Sequence, residues 1–148
     1  MATHGTVLSL RISENEKEGL ERLARRQGRT VSELAARMIL EGRRRAEFAW
    51  IDFRDTPPGR MAYLQNTRLQ VWWIARLARQ WKSQKVADHL EVPLLRIKAA
   101  LNYASAFPEE IQDAITDYES ITVEDIKRQL PELEVFEADK PAQLPSRK

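Results

Sequence analysis

Residues Thr6 to Ser13 read T-V-L-S-L-R-I-S, and the architecture of the N-terminal third of the chain follows from them. Three apolar side chains on alternate positions, Leu8, Leu10 and Ile12, are separated by Val7, Ser9 and Arg11. An alternation of period two is typical of a β-strand with one apolar face and one face in solvent. A lone strand leaves its backbone donors and acceptors unpaired, so this one is expected to need a partner strand.

A helix is predicted directly after the strand. Ser13 and Glu16 have the spacing of a capping box, in which each side chain binds the backbone amide of the other residue. The helix is expected to run to about Gln27, because Gly28 is typical of the position just past a helix end. Gly19 lies inside this helix and costs about 1 kcal/mol relative to alanine.

A second helix is predicted from Val31 to about Ala49. It is preceded by another capping-box pair, Thr30 and Glu33. One face carries an apolar stripe with the spacing i, i+3, i+4, i+7, formed by Val31, Leu34, Ala35 and Met38. Residues 42–45 read G-R-R-R, and these cations are interpreted as partners of the helix dipole, with a phosphate contact as the alternative.

The order strand, helix, helix resembles the ribbon-helix-helix family of DNA-binding proteins. In that family two chains pair their strands into an antiparallel ribbon, which enters the major groove of DNA. The resemblance covers residues 5–49, and it implies that the residues between the apolar strand positions contact bases, namely Val7, Ser9 and Arg11. It also implies that phosphate is held by the turn before the second helix and by the first residues of that helix, namely Arg29, Thr30, Val31 and Ser32. Val7 has no hydrogen-bonding group, so it is expected to contact a thymine methyl or a sugar.

Residues 50–68 are predicted to form a short β-hairpin around the turn cluster 55–59, which reads D-T-P-P-G. From Leu69 onward a helix is expected, with Trp73, Leu77 and Trp81 at the spacing i, i+4, i+8. The four tryptophans of the chain are interpreted as core residues. The alternative interpretation is a stacking surface for single-stranded nucleic acid.

A helix-turn-helix pattern is predicted after this helix. Ser83 is expected to cap a short helix through Leu90, and residues 92–93 (V-P) break the chain before a longer helix that starts near Leu94. Pro108 is expected at the first position of another helix, where its missing amide hydrogen is not needed.

Residues 50–116 resemble a small helix-turn-helix family. The resemblance rests on residues 66–71 (N-T-R-L-Q-V), 83–87 (S-Q-K-V-A) and 99–104 (A-A-L-N-Y-A). Members of that family occur as VapB-like antitoxins beside toxins of the PIN ribonuclease class, which implies a PIN-like toxin as a partner. The chain departs from the family pattern at Asn66 and Trp81, where the family has glycine.

Charge is distributed unevenly along the chain. Residues 1–108 contain 19 basic and 11 acidic residues, a net charge of +8, whereas residues 109–148 contain 5 and 11, a net charge of −6. The basic part suits a polyanion, because each neutralised phosphate releases condensed counterions. The acidic part is expected to meet a basic protein surface or to shield the basic part.

An acidic and partly disordered tail is predicted over residues 119–148. One further helix is expected over Thr122 to Leu130, and residues 138–148 are expected to be disordered on their own. The apolar residues Leu133, Val135 and Phe136 are the candidate toxin-binding residues, and a frayed chain end is the alternative.

The residue inventory favours no catalytic, metal or cofactor chemistry. The chain has no cysteine and only two histidines, His4 and His89, which do not have the spacing of metal ligands. No serine, histidine and acid are arranged as a catalytic triad, and the five glycines form no phosphate-binding loop. No apolar run approaches 18 residues and no signal region is seen, so a cytoplasmic location is expected.

These patterns predict a mainly α-helical protein in three parts. They are a ribbon-helix-helix DNA-binding and dimerisation domain (1–49), a helix-turn-helix-like domain with a short β-hairpin (50–118) and the acidic tail (119–148). The expected function is a repressor that binds double-stranded operator DNA as a homodimer or higher even oligomer and acts as the antitoxin of a type II toxin–antitoxin pair. Two alternatives remain open: a plasmid- or phage-type regulator without a toxin partner, and a dimeric assembly protein that does not bind DNA.

Overall fold

A computed structural model describes residues 5–136, and these form seven α-helices and one antiparallel two-stranded sheet. In chain order the elements are α1 (Glu14–Arg26), α2 (Val31–Glu47), β1 (Ile51–Thr56), β2 (Gly59–Leu64), α3 (Val71–Ala78), α4 (Ser83–Leu90), α5 (Leu94–Ala106), α6 (Pro108–Ser120) and α7 (Val123–Gln129). The prediction of a mainly helical chain with a short hairpin is confirmed. The expectations for His4 and for residues 138–148 lie outside the described residues.

The segment before α1, residues 5–13, is not a strand in the single chain, which corrects the strand prediction. A strand is defined by hydrogen bonds to a neighbour, and within the described chain the only paired strands are β1 and β2. Thr6, Leu8, Leu10 and Ile12 nevertheless all line one concave surface of α1 and α2. In an extended segment, alternate side chains lie on the same side of the backbone. Residues 6–12 therefore have the side-chain arrangement of a β-strand, although no partner strand in the described chain is bound to them.

Helices α1 and α2 lie close to their predicted positions. The hydroxyl of Ser13 accepts a hydrogen bond from the Glu16 amide at 3.3 Å, which is one of the two bonds of the predicted capping box. Past the end of α1, Gly28 has the left-handed φ of +61°. Helix α2 ends at Glu47 rather than Ala49, because Phe48 is already extended (φ −116°, ψ 121°) and leads into the hairpin.

The hairpin packs its inward face onto the helices that follow it. Ile51 pairs with Leu64 at the open end, and Thr56 pairs with Gly59 at the turn. The side chains of Ile51 and Leu64 are buried, as are those of Phe53 and Ala62. The predicted hairpin is therefore confirmed, and it forms one wall of the main core.

The main core lies between the hairpin and helices α3 to α6, with α5 in contact with α3, α4, α6 and β1. Its fully buried side chains are Leu64, Val71, Ile74, Val86, Ile97, Ala100 and Tyr103. Helix α5 thus occupies the centre of this part of the molecule.

Three expectations for this region are corrected. Trp81 lies beyond the end of α3. Val71 and Ile74 are the buried residues of α3, whereas Trp73 lies against Tyr118 of α6 and is only partly buried. The interpretation of the four tryptophans as core residues holds only in part: Trp72 and Trp81 are partly buried against the main core, whereas Trp50 is exposed. Ser83 is the first residue of α4 rather than its cap, since Lys82 holds the capping position.

The basic end of α2 faces acidic residues. Arg44 donates hydrogen bonds to the Tyr103 hydroxyl (2.6 Å) and to the Glu110 carboxylate (2.7 Å), which lie on α5 and on α6. Arg45 pairs with Asp52 of β1 at 3.0 Å. These pairs hold α2 against the hairpin and the helices, so a phosphate contact at this end would require breaking them.

Candidate nucleic-acid interface

An apolar groove runs between the N-terminal segment and helices α1 and α2. Its volume is about 680 Å³. It is lined mainly by Leu8, Leu10, Ile12, Leu20, Val31, Ala35, Ala36, Ile39 and Leu40. Leu8, Leu10 and Ile12 are 66%, 61% and 51% exposed in the single chain. So much accessible apolar surface in one place is typical of an interaction site.

The N-terminal part of the molecule has almost no interior of its own. Within α1 and α2 the only buried residues are Ala24, Leu34 and Glu41. Met38 lies on the predicted apolar stripe of α2 but is exposed, because nothing in the described chain covers it. An unpaired segment and two helices with only two buried apolar side chains cannot offset the entropy cost of folding on their own.

The predicted base-contacting residues lie on the outer side of the N-terminal segment. Because Leu8, Leu10 and Ile12 line the groove, the alternation places Val7, Ser9 and Arg11 on the opposite side. All three are exposed, and Val7 is 91% accessible. No described carboxylate lies within 4.0 Å of the Arg11 guanidinium.

The predicted phosphate-contacting residues surround the start of α2. The Thr30 amide donates to the Glu33 carboxylate (2.9 Å), and the Glu33 amide donates to the Thr30 hydroxyl (3.1 Å). The bond from the Thr30 amide lowers the pKa of the Glu33 carboxyl below its usual value, so the carboxylate stays charged. The Thr30 amide is therefore engaged. The amides of Val31 and Ser32, in the first turn, have no intrahelical acceptor.

Two of the predicted phosphate-contacting residues line the groove beside the N-terminal segment. Val31 and Ser32 line the same groove as Leu8 and Leu10. Arg29 is exposed just before them, and its own amide donates to the Ala24 carbonyl at 3.0 Å. The apolar side of the N-terminal segment and the start of α2 thus share one groove.

A second group of cations was missed by sequence reasoning. Six residues between 68 and 98 have no described carboxylate within 4.0 Å, and we call them the unpaired cations: Arg68, Arg79, Lys82, Lys85, Arg96 and Lys98. They contrast with the three arginines at the end of α2, each of which has an acidic partner. The signal was available in the sequence, since residues 56–87 contain no aspartate or glutamate.

Helix α7 and the residues after it stand apart from the core. Thr122 and Asp125 form a complete capping box at its start, and no residue of α7 is buried. Apolar side chains are exposed along this part of the chain, namely Ile121, Val123, Ile126, Leu130, Leu133, Val135 and Phe136. The three candidate toxin-binding residues, Leu133, Val135 and Phe136, are therefore accessible.

Comparisons with known proteins give no relative for this chain. A scan against models of protein families finds no match, and neither the curated proteins nor the solved structures contain one. Among the described helices, none has both the length and the apolar character that a membrane span requires. Residues 5–136 contain no group of three or more side chains placed to hold a metal ion.

Proposed function

We propose that the protein is a dimeric DNA-binding repressor whose N-terminal segments pair with each other. The observation that carries this proposal is the apolar groove, with Leu8, Leu10 and Ile12 half exposed or more along its edge. The same segment of a second copy, laid antiparallel, supplies the missing backbone hydrogen bonds and covers the groove. Pairing of two copies thus gives the backbone of the N-terminal segment its hydrogen-bond partners and removes the apolar groove from water.

The outer face of the paired segments is the proposed DNA-reading surface. Once Leu8, Leu10 and Ile12 are covered, Ser9 and Arg11 remain on the solvent side of the ribbon. Arginine recognises guanine through two hydrogen bonds in the major groove, where a two-stranded ribbon fits. Arg29 and the free amides at the start of α2 then hold the flanking phosphate.

Selection of duplexes from a random pool tests this proposal. The wild-type protein is expected to enrich a two-fold symmetric site. Arg11→Ala is expected to relax the preference at one base pair in each half-site and to cost about 1–3 kcal/mol of binding free energy. Arg128→Ala, an exposed arginine on α7, is the matched control and should leave the site unchanged. A stable dimer that enriches no sequence would instead favour the assembly-protein alternative.

We further propose that the protein neutralises a toxin through its C-terminal part. This proposal is supported by α7, whose capping box preforms the helix while its apolar side chains stay uncovered. Acidic residues outnumber basic ones by nine to two over residues 109–136. A helix with an apolar stripe flanked by acidic residues is complementary to an apolar groove on a partner protein whose rim is basic. The implied partner is the PIN-like toxin named by the sequence resemblance.

Co-expression with the product of the neighbouring gene tests the antitoxin proposal. Replacing Ile126 and Leu130 by aspartate is expected to abolish rescue of cells from that product while leaving DNA binding intact. Replacing the exposed Glu124 and Gln129 by alanine is the control, because it alters the same helix outside the apolar stripe. A neighbouring product that is harmless to cells would leave the plain regulator as the better description.

A further inference from the structure

Helices α4 and α5 form a tight helix-turn-helix unit. Three residues connect them, and the first, Glu91, takes the left-handed conformation with φ of +55°. The Val92 amide donates to the Ala87 carbonyl at 3.0 Å, which closes the end of α4. Val86 of α4 and Ile97 of α5 are completely buried. The unit is therefore held rigidly on the core.

One face of α5 is free of contacts with the core. It carries Leu95, Lys98, Asn102 and Ser105, spaced i, i+3, i+7 and i+10, and all four are exposed. Leu95 is 64% accessible although it is a large apolar residue. A row of lysine, asparagine and small side chains along a helix is the chemistry that reads base edges in the major groove.

The chain segment that contains this unit is rich in basic residues. Residues 56–106 contain eight basic and two acidic residues, a net charge of +6. Two of the unpaired cations, Lys82 and Lys85, lie at the start of α4, the other helix of the unit. The Lys85 ammonium lies 4.5 Å from the centre of the Trp81 ring, which holds its charge in place without neutralising it.

We propose that α5 is a second DNA-reading element, in addition to the N-terminal ribbon, an inference that rests on the proposed DNA-binding function. Lys98 donates to guanine, Asn102 forms the paired hydrogen bonds of asparagine with adenine, and Leu95 contacts a thymine methyl. Lys82 and Lys85 neutralise phosphates on the flanking backbone. The complete site on DNA is then longer than the segment that the ribbon covers.

An acidic protein surface is the competing occupant of this face. Protein interfaces are built around buried aromatic and arginine anchors, and the exposed row of α5 contains neither. Its lysine and asparagine side chains instead match the hydrogen-bonding edges of bases. Lys82 and Lys85, on the other helix of the unit, have no described carboxylate within 4.0 Å, so their charges are available to phosphates.

The test uses the full-length protein with the random-duplex selection and a binding titration. The double variant Lys98→Ala/Asn102→Ala is compared with Lys127→Ala/Gln129→Ala, which likewise removes one lysine and one carboxamide side chain, from the exposed surface of α7. The α5 variant is expected to keep the base pairs that depend on Arg11 and to lose preference at a separate, outer set. Its affinity for the full site is expected to fall about 10-fold or more. Lys82→Ala/Lys85→Ala is expected to weaken binding to all sequences and to lower the salt dependence by about two phosphate contacts.

Each other outcome overturns the inference. An α5 variant with unchanged base preferences, alongside an Arg11→Ala variant with altered ones, removes α5 from the DNA and leaves the ribbon proposal intact. Equal losses in the α5 and α7 variants would show a general charge effect rather than a site. Loss of association between copies, with DNA binding unchanged, would assign the face to the acidic segment of another copy. A wild-type protein that selects no sequence would overturn the proposed function itself.

Discussion

Arg44 connects three parts of the chain through one guanidinium group. Its side chain is largely buried, it lies 3.7 Å from the centre of the Phe107 ring, and its Nε has no hydrogen-bond acceptor in the described chain. Burial is the largest influence on this guanidinium and by itself would lower its pKa, but the hydrogen bonds and charge interactions with Glu110 and Tyr103 together outweigh burial and raise the pKa. Burial also raises the pKa of Tyr103. The arginine therefore stays charged and the tyrosine stays neutral at any ordinary pH.

Removing the Tyr103 hydroxyl is expected to destabilise the protein. That hydroxyl accepts from Arg44 and donates to Glu110 at 2.8 Å, so Tyr103→Phe leaves two partly buried charged groups with one partner fewer. A loss of about 1–3 kcal/mol in the free energy of unfolding is expected, measured by urea denaturation. Tyr118→Phe is the control, because Tyr118 is exposed and its ring rather than its hydroxyl makes the contacts with Trp72 and Trp73. Equal losses in the two variants would contradict this role.

The stability of the folded protein is expected to decrease in acid because of Glu33. Its pKa is lowered from 4.5 in the folded state, first by the hydrogen bond from the Thr30 amide and then by the Thr30 hydroxyl. Between the lowered folded-state pKa and the unfolded-state pKa of Glu33, the folded protein binds fewer protons than the unfolded protein. The stabilisation from this carboxylate is therefore lost as the pH falls through the folded-state pKa. Glu33→Gln keeps a capping side chain that does not titrate. Thermal unfolding at neutral and acid pH should show a smaller acid loss in this variant, and an identical loss would contradict the assignment.

Two glycines in the N-terminal helices are expected to respond oppositely to the same substitution. Gly42 lies inside α2, and an added Cβ would meet no atom within 4 Å, so Gly42→Ala should stabilise the protein by about 0.5–1 kcal/mol. Gly28 follows α1 with a φ of +61°, so Gly28→Ala should destabilise it by about 1–2 kcal/mol. Thermal unfolding of the pair measures both effects. A destabilised Gly42→Ala protein would show that a second chain packs against that position.

The whole molecule is expected to be stable only as an oligomer of even order. A dimer should unfold at a higher temperature as its concentration rises, because dissociation accompanies unfolding. Leu10→Asn places an amide in the groove and should yield smaller species in sedimentation equilibrium. Ser9→Asn, on the opposite side of the same segment, should leave the mass unchanged. A wild-type protein that sediments as a folded single chain at micromolar concentration would refute the paired ribbon.

Helix positions were readable from the sequence because their signals are local. The capping box at Thr30 and the proline at the start of α6 act within a few residues, so their effect does not depend on the rest of the fold. The hairpin was predictable for the same reason, since its turn residues are adjacent. The prediction that α3 extends to Trp81 was wrong. The apolar spacing continues past the end of the helix, and that end is defined only by the packing of α3 on α5 and α6.

The pairing of charges was settled by the tertiary structure. Arg44 meets Glu110, 66 positions along the chain, and no local pattern reports a contact over that separation. The same packing leaves the unpaired cations without acids and aligns Lys98 with Asn102 on an open face. The alternation in residues 6–13 indicated which side chains share a side, but the uncovered groove became visible only once α1 and α2 were packed against each other. Local order depends on neighbouring residues, whereas the sites depend on which distant surfaces the fold brings together.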